Sequence, residues 1–210
     1  MRIAEPTIER LVQYYRLLER LYLEGQKVVS SQEIGETLAL KASQVRKDLS
    51  YFGEIGKRGV GYHVEKLFKH IDDILSPPKR WKLGLIGVGH LGSALLGYGA
   101  LHNNKTEITV LFDNDKEKAG QVMFGIKCYH IDEAPQIIRE QGVEVIILTV
   151  PSNSAQSCVD SAVKSGCIKG VLNFSPTSVV APENVLVASV DISVELEKLL
   201  FFLKEKEKEK

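Results

Sequence analysis

One run of glycines restricts the fold of this chain more than any other feature. The apolar segment Trp81-Lys82-Leu83-Gly84-Leu85-Ile86 leads directly into Gly87-Val88-Gly89-His90-Leu91-Gly92, and the helix-forming Ser93-Ala94-Leu95-Leu96 follows. Asp113 stands twenty-one positions beyond Gly92, at the end of the next apolar segment. Strand, glycine turn, helix, strand and acid are the parts of a dinucleotide-binding unit, and each has a physical task. Gly87 permits the tight turn, Gly89 lets the backbone approach a pyrophosphate, and Gly92 lets the helix pack against the strand. Val88, His90 and Leu91 complete the loop, with His90 read as a neighbour of the phosphates rather than a catalytic group. The helix start offers unpaired N–H groups and a positive dipole end. Asp113 is expected to accept hydrogen bonds from the adenosine ribose and to repel a 2′-phosphate, favouring NADH and NAD+ over NADP(H).

The rest of that half alternates strand and helix. Strands are expected at 108–112, 145–150, 170–173 and 185–190, with helices at 132–141 and 153–165. This is the pattern of a doubly wound parallel sheet, an α/β fold. The run Val143-Glu144-Val145-Ile146-Ile147-Leu148 suits a strand covered on both faces. Two loops fall beyond strand ends, where this fold holds ligands: Thr149-Val150-Pro151-Ser152 and Asn173-Phe174-Ser175-Pro176. Thr149, Pro151 and Asn173 are candidates to bracket a ribose or nicotinamide. Ordinary strand-ending turns have the same composition.

Ser76-Pro77-Pro78-Lys79 separates this half from a helical one. We therefore expect a domain at 1–78, a Rossmann domain at 79–191 and a terminal helix with a charged tail at 192–210. Before the prolines, Ile8, Leu11, Val12, Tyr15, Leu18 and Tyr22 recur at helical spacing. A short extended Val28-Val29 precedes a capping box, Ser30 to Glu33, which opens a second helix. A turn at 40–42 leads to a third helix with Val45, Leu49 and Phe52 on one face. A glycine-punctuated hairpin and an amphipathic helix with Val64, Leu67, Phe68, Ile71 and Leu75 follow. That order describes a winged helix-turn-helix. With Val45 and Leu49 inward, Ser43, Gln44, Arg46, Lys47 and Ser50 fall on exposed faces, and these residue types reach base edges and phosphates. From 41 to 69, seven basic residues (Lys41, Arg46, Lys47, Lys57, Arg58, Lys66, Lys69) stand against Asp48, Glu54 and Glu65. The hairpin tip Gly56-Lys57-Arg58-Gly59 carries an arginine where a wing enters a minor groove.

Composition sets outer limits. Lys+Arg and Asp+Glu each number 27 among 210 residues, so a uniformly basic coat is excluded and any basic face is local. Three cysteines without CxxC spacing argue against a disulfide framework and a zinc site, and no metal is expected. No stretch reaches membrane-spanning length, so a cytoplasmic protein without a membrane partner is expected. The last helix is apolar nearly all round, through Ile192, Val194, Leu196, Leu199, Leu200, Phe201, Phe202 and Leu203. Such a helix must be buried, and a second subunit is the natural cover; packing on its own domain is the other solution. The tail from 204 to 210 alternates Lys and Glu and reads as a solvated helix end.

The segment Ala42-Ser43-Gln44-Val45-Arg46-Lys47-Asp48-Leu49-Ser50-Tyr51-Phe52-Gly53, continued by Gly56-Lys57-Arg58-Gly59-Val60-Gly61-Tyr62, resembles the recognition helix and wing of the redox-sensing repressors of the Rex family. The resemblance runs through the whole chain except the tail. It implies a homodimer with winged-helix domains on NAD(H)-binding Rossmann cores and a swapped C-terminal helix. Such a dimer binds palindromic double-stranded operator DNA and leaves it when NADH rises. It implies that Arg46 and Lys47 read the major groove and Arg58 the minor groove. Tyr98, after the glycine loop, looks like the family tyrosine near the nicotinamide, joined in a switch network by Arg16 and a partner-chain Asp191. Ile192 stands where an aromatic residue often follows that aspartate.

Two other readings compete. An NAD-dependent dehydrogenase with an accessory helical domain is weakened because the residues after about 80 only just complete a Rossmann sheet. No proton-transfer residue is evident, and none is assigned as catalytic. A module that holds a nucleotide without responding to it is the third reading.

Overall fold

The first helix, α1 (Glu5–Leu23), takes Pro6 in its opening turn, where the missing N–H has no helical partner to lose. The structure, a computed structural model, describes residues 3–53, 61–101 and 105–208. The chain divides into two units, Met1–Ser76 and Pro77–Lys210.

In the first unit the buried stripe of α1 is Thr7, Leu11, Tyr14, Leu17, Leu18 and Leu21. Ile8 and Tyr22, expected on that stripe, are exposed. Tyr22 and Tyr15 instead stack on Phe68 of a later helix, with centroids 5.6 and 5.1 Å away. The short strand β1 (Val28–Val29) leads into α2 (Ser31–Leu38), which opens on the expected capping box. The Glu33 N–H donates to Ser30 Oγ at 3.0 Å, and the Ser30 N–H donates to the Glu33 carboxylate at 2.6 Å. Such a cap stabilises a helix by about 1 kcal/mol. Helix α3 (Ala42–Ser50) turns Val45 and Leu49 into the core. Strand β2 (Tyr62–His63) pairs antiparallel with β1, and α4 (Val64–Leu75) closes the unit with Val64, Leu67 and Ile71 inside. The hairpin tip with Lys57, Arg58 and Gly59 lies outside the described residues.

Among the described residues of this unit, Asp48 is the buried charge. It sits on the inner side of α3, only 1% exposed, and accepts from Arg10 Nε (2.6 Å), Arg10 Nη2 (2.8 Å), the Tyr14 hydroxyl (2.8 Å) and Gln44 Nε2 (2.8 Å). Burial alone would raise its pKa, but the hydrogen bonds from Arg10, Tyr14 and Gln44 outweigh it and hold the group below its ordinary value. A depressed carboxylate stabilises the fold above its unfolded pKa, near 4, and that contribution is lost as pH falls through the folded value. Thermal melts between pH 7 and 3 should therefore show a steeper loss of stability for the parent than for Asp48→Asn. Parallel curves would remove Asp48 from the account.

The second unit is built on one sheet with strand order β5-β6-β4-β3-β7-β8-β9. Its strands are β3 (Trp81–Ile86), β4 (Thr106–Asp113), β5 (Val122–Met123), β6 (Ile126–His130), β7 (Val145–Leu148), β8 (Gly170–Asn173) and β9 (Leu186–Ser189). All neighbours are parallel except β5 with β6. Helices α5 (His90–Leu96), α6 (Ala134–Gln141) and α7 (Ser152–Val163) follow β3, β6 and β7. Val143, Ile146, Ile147 and Leu148 are all fully buried, as a strand covered on both faces requires. Strand β7 stops at Leu148, two residues before the expected end, because Thr149 turns back to donate to the Gly87 carbonyl at 2.7 Å. The β5–β6 hairpin lies outside the strands expected from the sequence.

Helix α8 (Ile192–Lys208) continues through most of the charged tail and has no buried residue. Leu196, Leu199, Leu200, Phe201, Phe202 and Leu203 are each about half exposed, between 48% and 61%. Packing on its own domain is therefore not how this helix hides its apolar surface. Among the described residues no helix is long and apolar enough to cross a membrane.

Candidate functional site: a nucleotide cavity and a recognition helix

Strand β3 lies between β4 and β7, so the chain leaves it to one side and later returns on the other. A crevice opens beyond the strand ends at such a switch point. Here it is a cavity of about 580 Å³. Its floor is the glycine loop. Gly87 has φ +97°, and a Cβ there would stand 2.7 Å from Val150 Cγ1. A Cβ on Gly92 would run into the Gly87 carbonyl oxygen. Gly89 differs: a Cβ there meets nothing within 4 Å. Two glycines are thus required by the fold, and the third keeps open a space that a ligand can fill.

Asp113 ends β4 on the cavity wall, 6% exposed. Its carboxylate accepts from the Val88 N–H (2.8 Å), the Asp115 N–H (3.0 Å) and Lys118 Nζ (3.0 Å). Burial pushes its pKa up, but these donors pull it down further, so the group is held ionised. A carboxylate has about four acceptor sites, which leaves room for one ribose hydroxyl. Lys118 forms an ion pair with Asp113 that the sequence alone does not reveal.

Of the candidate cofactor residues, Gly87, Gly89, Asp113, Thr149 and Pro151 line the cavity. Val88 is buried behind the loop, Gly92 packs α5 onto it, and His90 and Leu91 are exposed. Asn173 points its amide into its own loop, donating to Thr177 O (2.8 Å) and accepting the Ser175 N–H (2.9 Å). Tyr98 is exposed beyond α5 and is not in the cavity lining. Asp191 accepts from the Ser193 N–H and hydroxyl at the head of α8, bonds that lower its pKa. The sequence reading missed Lys118, Asn114, Ile131 and Asp132 in the cavity, and with them Asn153, Ser154, Ser157 and Ser161 along one face of α7. The signal for that last group was present, since 154, 157 and 161 repeat at helical spacing with small polar side chains. Cys158 joins them on the wall, its thiol pKa raised by burial.

In the first unit α3 leaves Ser43, Arg46, Lys47 and Ser50 exposed, and Gln44 half-buried. Arg46 Nη1 donates to Ser31 Oγ at 2.9 Å, which steadies the guanidinium against the start of α2. The Ser50 hydroxyl donates to the Lys47 carbonyl at 2.7 Å. Arg16 is exposed on α1, in a shallow groove with Arg20 and Thr37.

Known proteins resemble both units. Residues 2–50 match a family described as a putative DNA-binding protein N-terminus, and residues 78–177 match a CoA binding domain family. A redox-sensing transcriptional repressor Rex from an Exiguobacterium species is 42% identical over 202 residues, which cover 96% of this chain and 92% of the relative. The chain belongs to the Rex family. Another Rex repressor, from Halalkalibacterium halodurans, is 43% identical over 97% of this chain and 95% of its own. Among solved structures, the Rex-family repressor RSP in complex with NAD+ and operator DNA matches with TM-score 0.91 at 30% identity, covering 99% of this chain and 95% of that one. RSP in complex with NADH matches with TM-score 0.87 at 29% identity, covering 99% of this chain and 97% of that one. The cavity and the exposed side of α3 therefore sit within a Rex-family chain of full-length similarity.

Proposed function

We propose that this protein is a cytoplasmic redox-sensing transcriptional repressor that binds palindromic operator DNA as a homodimer and releases it when NADH binds. The observation that carries the reading is a dinucleotide-sized cavity at a Rossmann switch point on the same chain as an exposed recognition helix. A dehydrogenase reading is not favoured, because the curated relatives are named repressors. Gly87, Gly89 and Gly92 with Val88, His90 and Leu91 form the pyrophosphate turn, Asp113 takes a ribose hydroxyl, and Thr149 and Pro151 border the nicotinamide half. Ser43, Gln44, Arg46 and Lys47 face the major groove, while Lys57, Arg58 and Gly59 are further DNA contacts, Arg58 in the minor groove. Arg16, Tyr98 and Asp191 link nucleotide state to DNA binding. The test is a titration of an operator duplex, selected by the protein from a random-sequence pool, against NADH and against NAD+. Release by neither nucleotide would reject the sensor reading.

The glycines give a paired prediction. Gly92→Ala should lower the melting temperature and abolish NADH binding together, because its Cβ strikes the Gly87 carbonyl. Gly89→Val should leave the melting temperature unchanged and weaken NADH at least tenfold by isothermal titration. Equal NADH affinity for Gly89→Val and parent would place the pyrophosphate elsewhere.

On DNA, Arg46→Ala should cost about 1–3 kcal/mol and relax preference at one base position. Lys57→Ala should weaken selected and random duplexes alike, as loss of a phosphate contact does. Equal losses on both duplexes for Arg46→Ala would remove it as a reader.

A further inference from the structure

The bonds around Asp48 join the inside of the recognition helix to Gln44, a half-buried side chain in its first turn. Asp48 and Gln44 are one helical turn apart on α3, and Gln44 Nε2 lies 2.8 Å from Asp48 Oδ1. An ionised carboxylate accepts hydrogen bonds and cannot donate them. The end of the Gln44 amide turned toward Asp48 must therefore be its nitrogen, and the reverse flip would set two oxygens against each other. Asp48 itself cannot turn away. Its other contacts, two from Arg10 and one from Tyr14, come from α1 at 2.6–2.8 Å, and the group is 99% shielded from water.

One N–H of the amide is thus committed to Asp48. What remains is Oε1 and the amide's second N–H. That pair, one acceptor beside one donor, complements the N6 amino group and N7 of adenine in the major groove. Gln44 is the third residue of α3, and the first residues of a recognition helix are the ones that reach base edges. We infer that Asp48 is a positioning residue for sequence readout, fixing the Gln44 amide so that it reads an adenine. This rests on the DNA-binding reading above. It adds the residue that sets a base preference and the identity of the base.

The experiment uses the full-length protein and a duplex that it selects from a random-sequence pool. Failure to select any sequence would reject the DNA-binding reading and this inference with it. With a selected duplex in hand, each adenine is replaced in turn by purine, which lacks the N6 amino group, and by 7-deazaadenine, which lacks N7. One adenine per half-site should lose affinity with both analogues, on the order of tenfold to a hundredfold for the bidentate pair. Gln44→Ala should erase that sensitivity, so that neither analogue at that adenine lowers its affinity further. Asp48→Asn, whose side chain can both donate and accept, frees the amide to flip and should erase most of the same sensitivity. Tyr14→Phe removes a different bond to Asp48 and serves as the control for lost stability. It should keep the adenine sensitivity while lowering the melting temperature. Should Asp48→Asn fail to fold, the analogue scan of the parent against Gln44→Ala still decides the base. The inference is overturned if no adenine shows the double sensitivity. It is equally overturned if Asp48→Asn keeps the sensitivity, or if Tyr14→Phe loses it as fully as Asp48→Asn.

Discussion

Deletion of residues 192–210 is expected to convert the protein into monomers or aggregates that hold operator DNA at least a hundredfold more weakly. Helix α8 leaves six Leu and Phe side chains about half exposed, and its own domain buries none of them. Covering that surface is favourable by roughly 5 kcal/mol per helix at about 25 cal/mol per Å² of apolar area. Two such helices, if exchanged between copies, would supply a large share of what an obligate dimer needs. The cover must be specific, because the preceding strand β9 is also exposed and two-sided, with Leu186 79% and Val187 38% accessible. A second copy would shield the edge strand and the helix together. The DNA effect follows from the arithmetic of linked sites, in which joining two half-site readers raises affinity by about 10²–10⁴ without any new contact. Light scattering after gel filtration reads the assembly, and operator binding reads the consequence. A truncated protein that stays dimeric and binds the selected duplex normally would show that other surfaces hold the dimer.

Legibility in the sequence varied with the kind of force involved. Backbone-dictated features could be read directly: the glycine loop, the Ser30–Glu33 capping box, the buried run ending at Leu148, and the helix order of the first unit. Each depends on local chemistry that one segment states by itself. What escaped depended on contacts far apart in the chain. Asp48 counted as one more acid against a basic face, because nothing near it in sequence announces Arg10 and Tyr14, which lie 38 and 34 residues away. Lys118 is silent in the sequence for the same kind of reason, since its meaning comes from the buried Asp113 it meets. The β5–β6 hairpin was hidden by its short strands and by Lys127 and His130, which interrupt the apolar pattern of 126–130. The stripe on α1 was misplaced where tyrosines are concerned. Tyr14 is buried because its hydroxyl has a partner, whereas Tyr22 lies outward on Phe68.

NADH is expected to release operator DNA, and NAD+ to compete with NADH for the site without releasing DNA. The two nucleotides share every group that the glycine loop and Asp113 can touch, so those contacts give no discrimination. They differ at the nicotinamide ring, which is cationic when oxidised and neutral when reduced. Placing the cation in a closed, largely apolar dimer interface costs desolvation energy that the neutral ring avoids. NADH is therefore expected to favour a closed dimer, and closing would pull the two recognition helices out of register with half-sites spaced by whole turns of the duplex. The required size is modest. Swinging a two-state equilibrium from 1:99 to 99:1 takes about 10⁴-fold preference for one state, or about 5.5 kcal/mol. A dimer with two sites needs only about 100-fold at each, near 2.7 kcal/mol. Hydrogen bonds from the Ser193 hydroxyl and N–H hold the Asp191 carboxylate below its ordinary pKa. Asp191→Ala and Tyr98→Phe should keep NADH affinity within a few fold while shifting the release midpoint by at least tenfold. Asp113→Ala should instead weaken both nucleotides equally. Fluorescence titration of nucleotide and anisotropy of labelled duplex, run on the same preparations, separate binding from release. Release of DNA by NAD+ and NADH at equal concentrations would sink the charge-based switch, as would an Asp191→Ala protein that responds like its parent.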